Sequence, residues 1–184
     1  MQTPTVFVSY THDDDRHRAQ VRGLVDLLAA HAIRSKVDYL AGPERRDWWP
    51  WARTNILECE YTLVIASPQY RRMGDGSGPN DKNLGGQCEA SLLRDMVQSD
   101  RAMWTRRILP VVLPGRSIWE IPDFLQPCAA THFVVDELTM PGITNLYRTL
   151  TGQPQHTAPE LGKPLELPPE SGPGSSASPQ LDDR

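Results

Sequence analysis

Val6-Phe7-Val8-Ser9-Tyr10-Thr11-His12-Asp13-Asp14 opens the chain with buried-strand residues that run straight into a polar, acidic turn. A helical pattern follows at once, with Val21, Leu24, Val25, Leu28 and Ala32 recurring at i, i+3, i+4 and i+7 spacing. Strand, polar turn and helix in that order form the first unit of a parallel α/β domain. In such sheets ligands bind outside the carboxyl ends of the strands. The turn from Ser9 to Asp14 is therefore where chemistry is expected.

The same alternation continues along the chain. Further strands are predicted at Ser35–Leu40, a short edge strand, and at Tyr61–Ser67, a β-branched run suited to a strand covered on both faces. Ile108–Leu113 and Thr131–Val135 follow, although Pro110 is awkward in a central strand. Helices are predicted at Asp15–Ala32, Trp48–Glu60, Gln87–Ser99 and Ile143–Leu150, with a short piece near Pro122–Gln126. This spacing implies βαβ units with right-handed crossovers. The expected fold class is α/β, a flavodoxin-like five-stranded parallel sheet with helices on both faces.

With 184 residues, 39% of them hydrophobic, the chain has material for one core and a short appendage. From Gly152 onward there are seven prolines and no aromatic residue. We expect a domain over residues 1–152 and a disordered, Pro-rich tail or linker over 153–184. Gly74 to Asn83 reads as a flexible surface loop. Its glycines are not followed by the Lys-Ser/Thr of a phosphate loop.

A net charge of −4 does not point to nucleic acid. No apolar run reaches the ~18 residues of a membrane helix. The start of the chain lacks the pattern of a signal peptide. Cys59, Cys88 and Cys128 are far apart and fit reduced thiols, so a cytoplasmic location is expected. The five histidines have no metal-ligand spacing, and no metal or bound cofactor is expected.

Glu89 is the first candidate for chemistry. With Leu92, Leu93 and Met96 it lies on the inward stripe of its helix, near the N-terminal end. Such a carboxylate faces the cleft. The alternative is a helix-start carboxylate that meets free N–H groups and the dipole. Asp47-Trp48-Trp49-Pro50-Trp51 is the second candidate. Asp47 suits a helix cap, and three indoles in four positions cannot all face one core. An exposed Trp favours a flat ring or a partner surface. Arg45 and Arg46, like Arg71 and Arg72, stand where they would meet phosphates or remain solvated. Ser67 and Tyr70, after the third strand, would line the same cleft as Ser9 and Tyr10. Asp13-Asp14-Asp15 is like the acidic cluster of response-regulator receivers. However, Ser67-Pro68 replaces the receiver's phosphorylatable Asp, and Leu113-Pro114-Gly115 stands in place of its Lys.

Taken in order, these pieces resemble the Toll/interleukin-1 receptor (TIR) domains and, more closely, their bacterial SEFIR relatives. The resemblance rests on Val6-Phe7-Val8-Ser9-Tyr10, the loop Ala41–Arg46 before Asp47-Trp48, Tyr61–Tyr70, Gln87-Cys88-Glu89, ILPVVLP and LYRTLTGQP. It covers about residues 4–154. It implies a signalling or antiviral defence protein. In many bacterial and plant relatives one Glu on the third helix of the βαβ series hydrolyses or cyclises NAD at the nicotinamide–ribose bond, and Glu89 matches it. Gly86-Gln87-Cys88 replaces the Trp-Cys that usually precedes that residue.

On this reading NAD is the substrate. Ser9, Tyr10, Trp48, Trp49, Ser67 and Tyr70 surround it, Arg45 and Arg46 hold its pyrophosphate, and self-association switches the activity on. Partners would be further copies of the chain or other TIR/SEFIR proteins, with no nucleic acid and no membrane. The alternative is a non-catalytic adaptor that acts through homotypic contacts of Ala41–Trp51 and the helix carrying Glu89. A third reading is a nucleoside 2-deoxyribosyltransferase-like enzyme, which also uses a Glu on an α/β scaffold.

Overall fold

Val6, Phe7, Val8 and Ser9 are all buried, and their alternation places them in two half-cores on opposite faces of one sheet. The computed structural model describes residues 3–78 and 84–169. Five strands run β1 (Thr5–Ser9), β2 (Arg34–Lys36), β3 (Tyr61–Ile65), β4 (Ile108–Val112) and β5 (Phe133–Val134). They pair in the order β2-β1-β3-β4-β5, and every pairing is parallel. This is the flavodoxin-like α/β sheet expected from the sequence, with Tyr61–Ile65 at its centre.

One face carries α1 (Asp15–Ala30) and α6 (Met140–Thr151). Their Val21, Leu24, Leu28, Ile143 and Leu146 pack on Val6, Val8, Leu63, Ile65 and Val111. The other face carries α2 (Trp48–Glu58), α3 (Pro68–Gly74), α4 (Leu84–Ser99) and α5 (Arg101–Arg107). There Ile56, Tyr70, Leu93 and Trp104 pack on Phe7, Val64 and Val112. A strand covered on both faces cannot show polar alternation, which is why YTLVI reads as a continuous apolar run.

Several boundaries differ from the sequence reading. The second strand was expected to reach Leu40 but stops at Lys36, and Asp38–Leu40 is a 3-10 turn. The Asp38 carboxylate accepts the Tyr39 amide at 2.7 Å, which diverts the backbone from the ladder. The fifth strand pairs only at Phe133–Val134. Pro110 is tolerated although β4 is internal. Val112 offers its carbonyl toward β5, so Pro110, two residues earlier, turns its nitrogen to the same side, where pairing starts only opposite Val111.

Two helices were not anticipated. Ser67 does not simply end the third strand. Its hydroxyl caps α3 by accepting the Tyr70 amide at 3.0 Å, and Pro68 starts the helix. Asp100 caps α5 in the same way. Arg107 at the end of α5 donates to the carbonyls of Ile56, Leu57, Cys59 and Glu60, satisfying the open end of α2.

The predicted loop Gly74–Asn83 begins as the last residue of α3, and its residues 79–83 lie outside the described part. Residues 153–169 form no helix or strand and are exposed, while 170–184 lie outside the described residues. Among the described residues no helix is long and apolar enough to cross a membrane.

Candidate active site

The strand order reverses direction between β1 and β3, and a crevice opens there at the carboxyl ends of the strands. Tyr10, Thr11, His12, Asp38, Trp48, Trp49, Trp51, Ala52, Met73, Gly85, Gly86, Glu89 and Leu92 line a cleft of about 350 Å3 in this crevice. Gly86 permits the close approach of α4 to α3, because a Cβ there would lie 3.0 Å from Met73 Cε.

Ser9 is on the same side of β1 as Phe7, toward α2 and α4. From there its hydroxyl donates to Glu89 Oε1. Tyr70 Oη lies 2.5 Å from Ser9 Oγ. Since Ser9 spends its proton on Glu89, Tyr70 is the donor in that second contact. The buried hydroxyls thus form a relay, Tyr70 to Ser9 to Glu89, that aims the carboxylate into the cleft. Burial pushes the Glu89 carboxyl up to about 7; the Ser9 hydrogen bond pulls it the other way, and the negative charge of Asp38 adds to the rise. Tyr70 is pushed well above its ordinary value by burial and by the charge of Glu89, so it stays a neutral donor.

Asp38 and His12 form the second polar element of the cleft. His12 Nε2 lies 2.7 Å from Asp38 Oδ2. Burial works against ionised Asp38, but hydrogen bonds from His12, Tyr10 and the Tyr39 amide outweigh it and hold its carboxyl below the usual value. The Asp38 hydrogen bond in turn raises His12, with burial opposing.

A third network lies deeper. Ser67 Oγ donates to Asp13 Oδ1 at 2.8 Å, Thr11 Oγ1 is 2.7 Å from Ser67 Oγ, and the Gln69 amide donates to Asp13 Oδ2 at 3.1 Å. It ties the turn after β1 to the start of α3. Asp14, the next carboxylate, caps α1 by accepting the His17 amide.

The structure brings some of the sequence candidates together and leaves others apart. Glu89, Tyr10, Trp48 and Trp49 line the cleft, and the two indoles are 46% and 50% exposed. Ser9 and Tyr70 are buried behind Glu89 and support it. Ser67 is fully buried in the Asp13 network. Arg45 is exposed and lies outside the cleft lining. Arg46 packs its guanidinium over Trp48 at 5.8 Å and Trp51 at 5.9 Å, and pairs with Glu44 at 3.6 Å. Trp51, in turn, sits edge-on to Phe7 at 5.6 Å.

Asp38, His12 and Met73 are cleft residues that the sequence reading did not single out. The sequence offered no signal for Asp38, because the predicted strand ran through it to Leu40, whereas β2 ends at Lys36. Among the described residues no three His, Cys, Asp or Glu side chains are grouped to hold a metal ion.

No family model matches the chain, and no curated protein matches it. Solved structures do. A prokaryotic SEFIR domain superimposes with a TM-score of 0.63 at 17% identity, covering 86% of this chain and 99% of that one. At that identity the likeness is one of fold, and the chain has the fold of a SEFIR/TIR-like domain.

Proposed function

We propose that this chain cleaves the nicotinamide–ribose bond of NAD, with Glu89 as the group that meets the developing ribosyl cation. The observation that carries the reading is the placement of Glu89. Its carboxylate sits on the wall of an aromatic cleft at the switch point of the sheet, held by Ser9 and bordered by Tyr10, Trp48 and Trp49. The SEFIR-type fold supports it, because the sequence resembles relatives in which a Glu at this place does that chemistry.

The reaction asks little of the protein. The ring nitrogen of nicotinamide carries positive charge, so the base leaves neutral with the C1′–N electron pair and needs no general acid. The barrier lies in the oxocarbenium character of the ribose. A carboxylate beside C1′ stabilises that charge or attacks it, as in glycoside hydrolysis. Water then completes the conversion to nicotinamide, ADP-ribose and a proton. The exposed indoles offer flat faces to the pyridinium ring. A single-subunit cleft half open at Trp48 and Trp49 suits activation by self-association, in keeping with a signalling or defence role.

The test is to incubate the concentrated protein with NAD and follow free nicotinamide. We expect release that rises per subunit with protein concentration. No release at any concentration, with the protein folded and assembled, would replace this reading by that of an adaptor acting through homotypic contacts.

A further inference from the structure

The cleft that Glu89 lines also holds an Asp–His pair that the cleavage of the C1′–N bond does not use. We infer that His12, oriented by Asp38, is the general base that takes the proton from the water attacking C1′ after nicotinamide has left. The inference rests on the NAD-cleaving reading and assigns the second half of that reaction.

The geometry is that of a base held by an orienting carboxylate. His12 Nε2 is 2.7 Å from Asp38 Oδ2, while Asp38 Oδ1 is engaged by the Tyr39 amide at 2.7 Å. The carboxylate is therefore fixed at both oxygens. An ionised Asp38 selects the tautomer with the proton on Nε2, which leaves the lone pair of Nδ1 available. His12 Nδ1 has no hydrogen-bond partner among the described residues, and the ring is half exposed at the cleft wall. Tyr10 braces the ring at a centroid distance of 5.0 Å. Tyr10, His12, Asp38 and Glu89 thus border one cavity from the turn after β1, the turn after β2 and α4.

The step balances simply. The C1′–N bond has already broken, with its electron pair on nicotinamide. A water oxygen supplies a lone pair to C1′, a C1′–O bond forms, and the water proton passes to His12 Nδ1 and from there to solvent. If Glu89 has attacked C1′ first, its C1′–O bond breaks in the same step. Asp38 is a positioning residue that stabilises the imidazolium formed, and His12 is the catalytic one. General bases of this kind contribute about 100- to 10,000-fold.

The experiment compares two fates of the enzyme-bound ribosyl group, using NAD and isotopically labelled nicotinamide. Return of labelled nicotinamide regenerates NAD, whereas water gives ADP-ribose. Only the second fate needs a base. In His12→Gln the ratio of exchange to hydrolysis should rise at least tenfold, because hydrolysis slows while exchange persists. Asp38→Asn, which preserves shape, should move the ratio the same way by a smaller factor and guards against a folding defect in the first variant. A ratio unchanged in both variants overturns the inference while leaving the NAD-cleaving reading intact. A wild-type chain that releases no nicotinamide overturns both.

Discussion

Ser9 Oγ, on the last residue of β1, donates its proton to Glu89 Oε1 across the gap to α4. One hydrogen bond thereby links the strand that ends at the switch point of the sheet to the carboxylate that faces the cleft. It also fixes which oxygen of Glu89 is held and which is left for a ligand.

Replacing Ser9 by Ala should show this link in a pH profile. The hydrogen bond favours ionised Glu89, so its loss moves the carboxyl further up and shifts the rise of activity to higher pH. The variant also strands the buried Tyr70 hydroxyl, at a cost of about 1–3 kcal/mol. Tyr70→Phe removes that hydroxyl but keeps the Ser9 donor, so its profile should stay close to wild type.

The wild-type profile itself is a prediction. Only the ionised carboxylate can meet a ribosyl cation. With Glu89 near 7 in the empty cleft, kcat/KM for nicotinamide release should climb about tenfold per pH unit below that value and level off above it. In the complex a pyridinium cation beside Glu89 favours ionisation, so the kcat profile should break at lower pH. A kcat/KM that falls as pH rises through 7 would assign Glu89 the role of an acid.

The same carboxylate carries a stability cost. Its folded value of about 7 stands above the ordinary glutamate value of 4.5, so the folded chain binds the Glu89 proton more tightly than the unfolded chain does. The associated stability is fully present below 4.5 and is lost as pH rises through 7. Glu89→Gln, which carries no charge, should therefore be the more stable protein at pH 8 by on the order of 3 kcal/mol, roughly 6–12 °C in Tm. The difference should shrink as pH falls through 7 and vanish below about 4.5. Thermal melts of both proteins across that range check it.

Removing the chain after Gln155 should leave Tm within a few degrees of the full-length value. The cut keeps Pro154, whose carbonyl accepts Arg148 at 2.6 Å, and discards residues among which those described are all exposed. A large drop would mean that the distal segment docks on the domain.

What the sequence made legible is what local pattern encodes. The run Tyr61–Ile65 announces a strand covered on both faces, and Glu89 declares its facing because Leu93 and Met96 recur at helical spacing behind it. What it hid depends on contacts distant in sequence. His12 and Asp38 are 26 residues apart and meet only because β1 and β2 are neighbours whose ends open on the same cleft. Ser9 and Glu89 are 80 residues apart and meet because α4 packs on the Phe7 face. The side-chain path of Arg46 was equally out of reach, since its stacking on Trp48 and Trp51 is a contact between side chains that local pattern does not encode. The short α3 left a readable trace, a capping Ser67 followed by Pro68, which was masked by the strand running into it.

The most direct measurement of the central claim is nicotinamide release from NAD by the wild type and by Glu89→Gln, side by side, at a concentration where both are folded and equally assembled. Gln keeps the shape and can still accept the Ser9 hydrogen bond, but offers no charge to the ribosyl cation. Loss of such stabilisation costs about 100- to 1000-fold in rate. We predict a wild type that turns NAD over and a Gln variant reduced by that factor. A Gln variant that keeps more than about a tenth of the wild-type rate, a difference of only ~1.4 kcal/mol, would contradict the account.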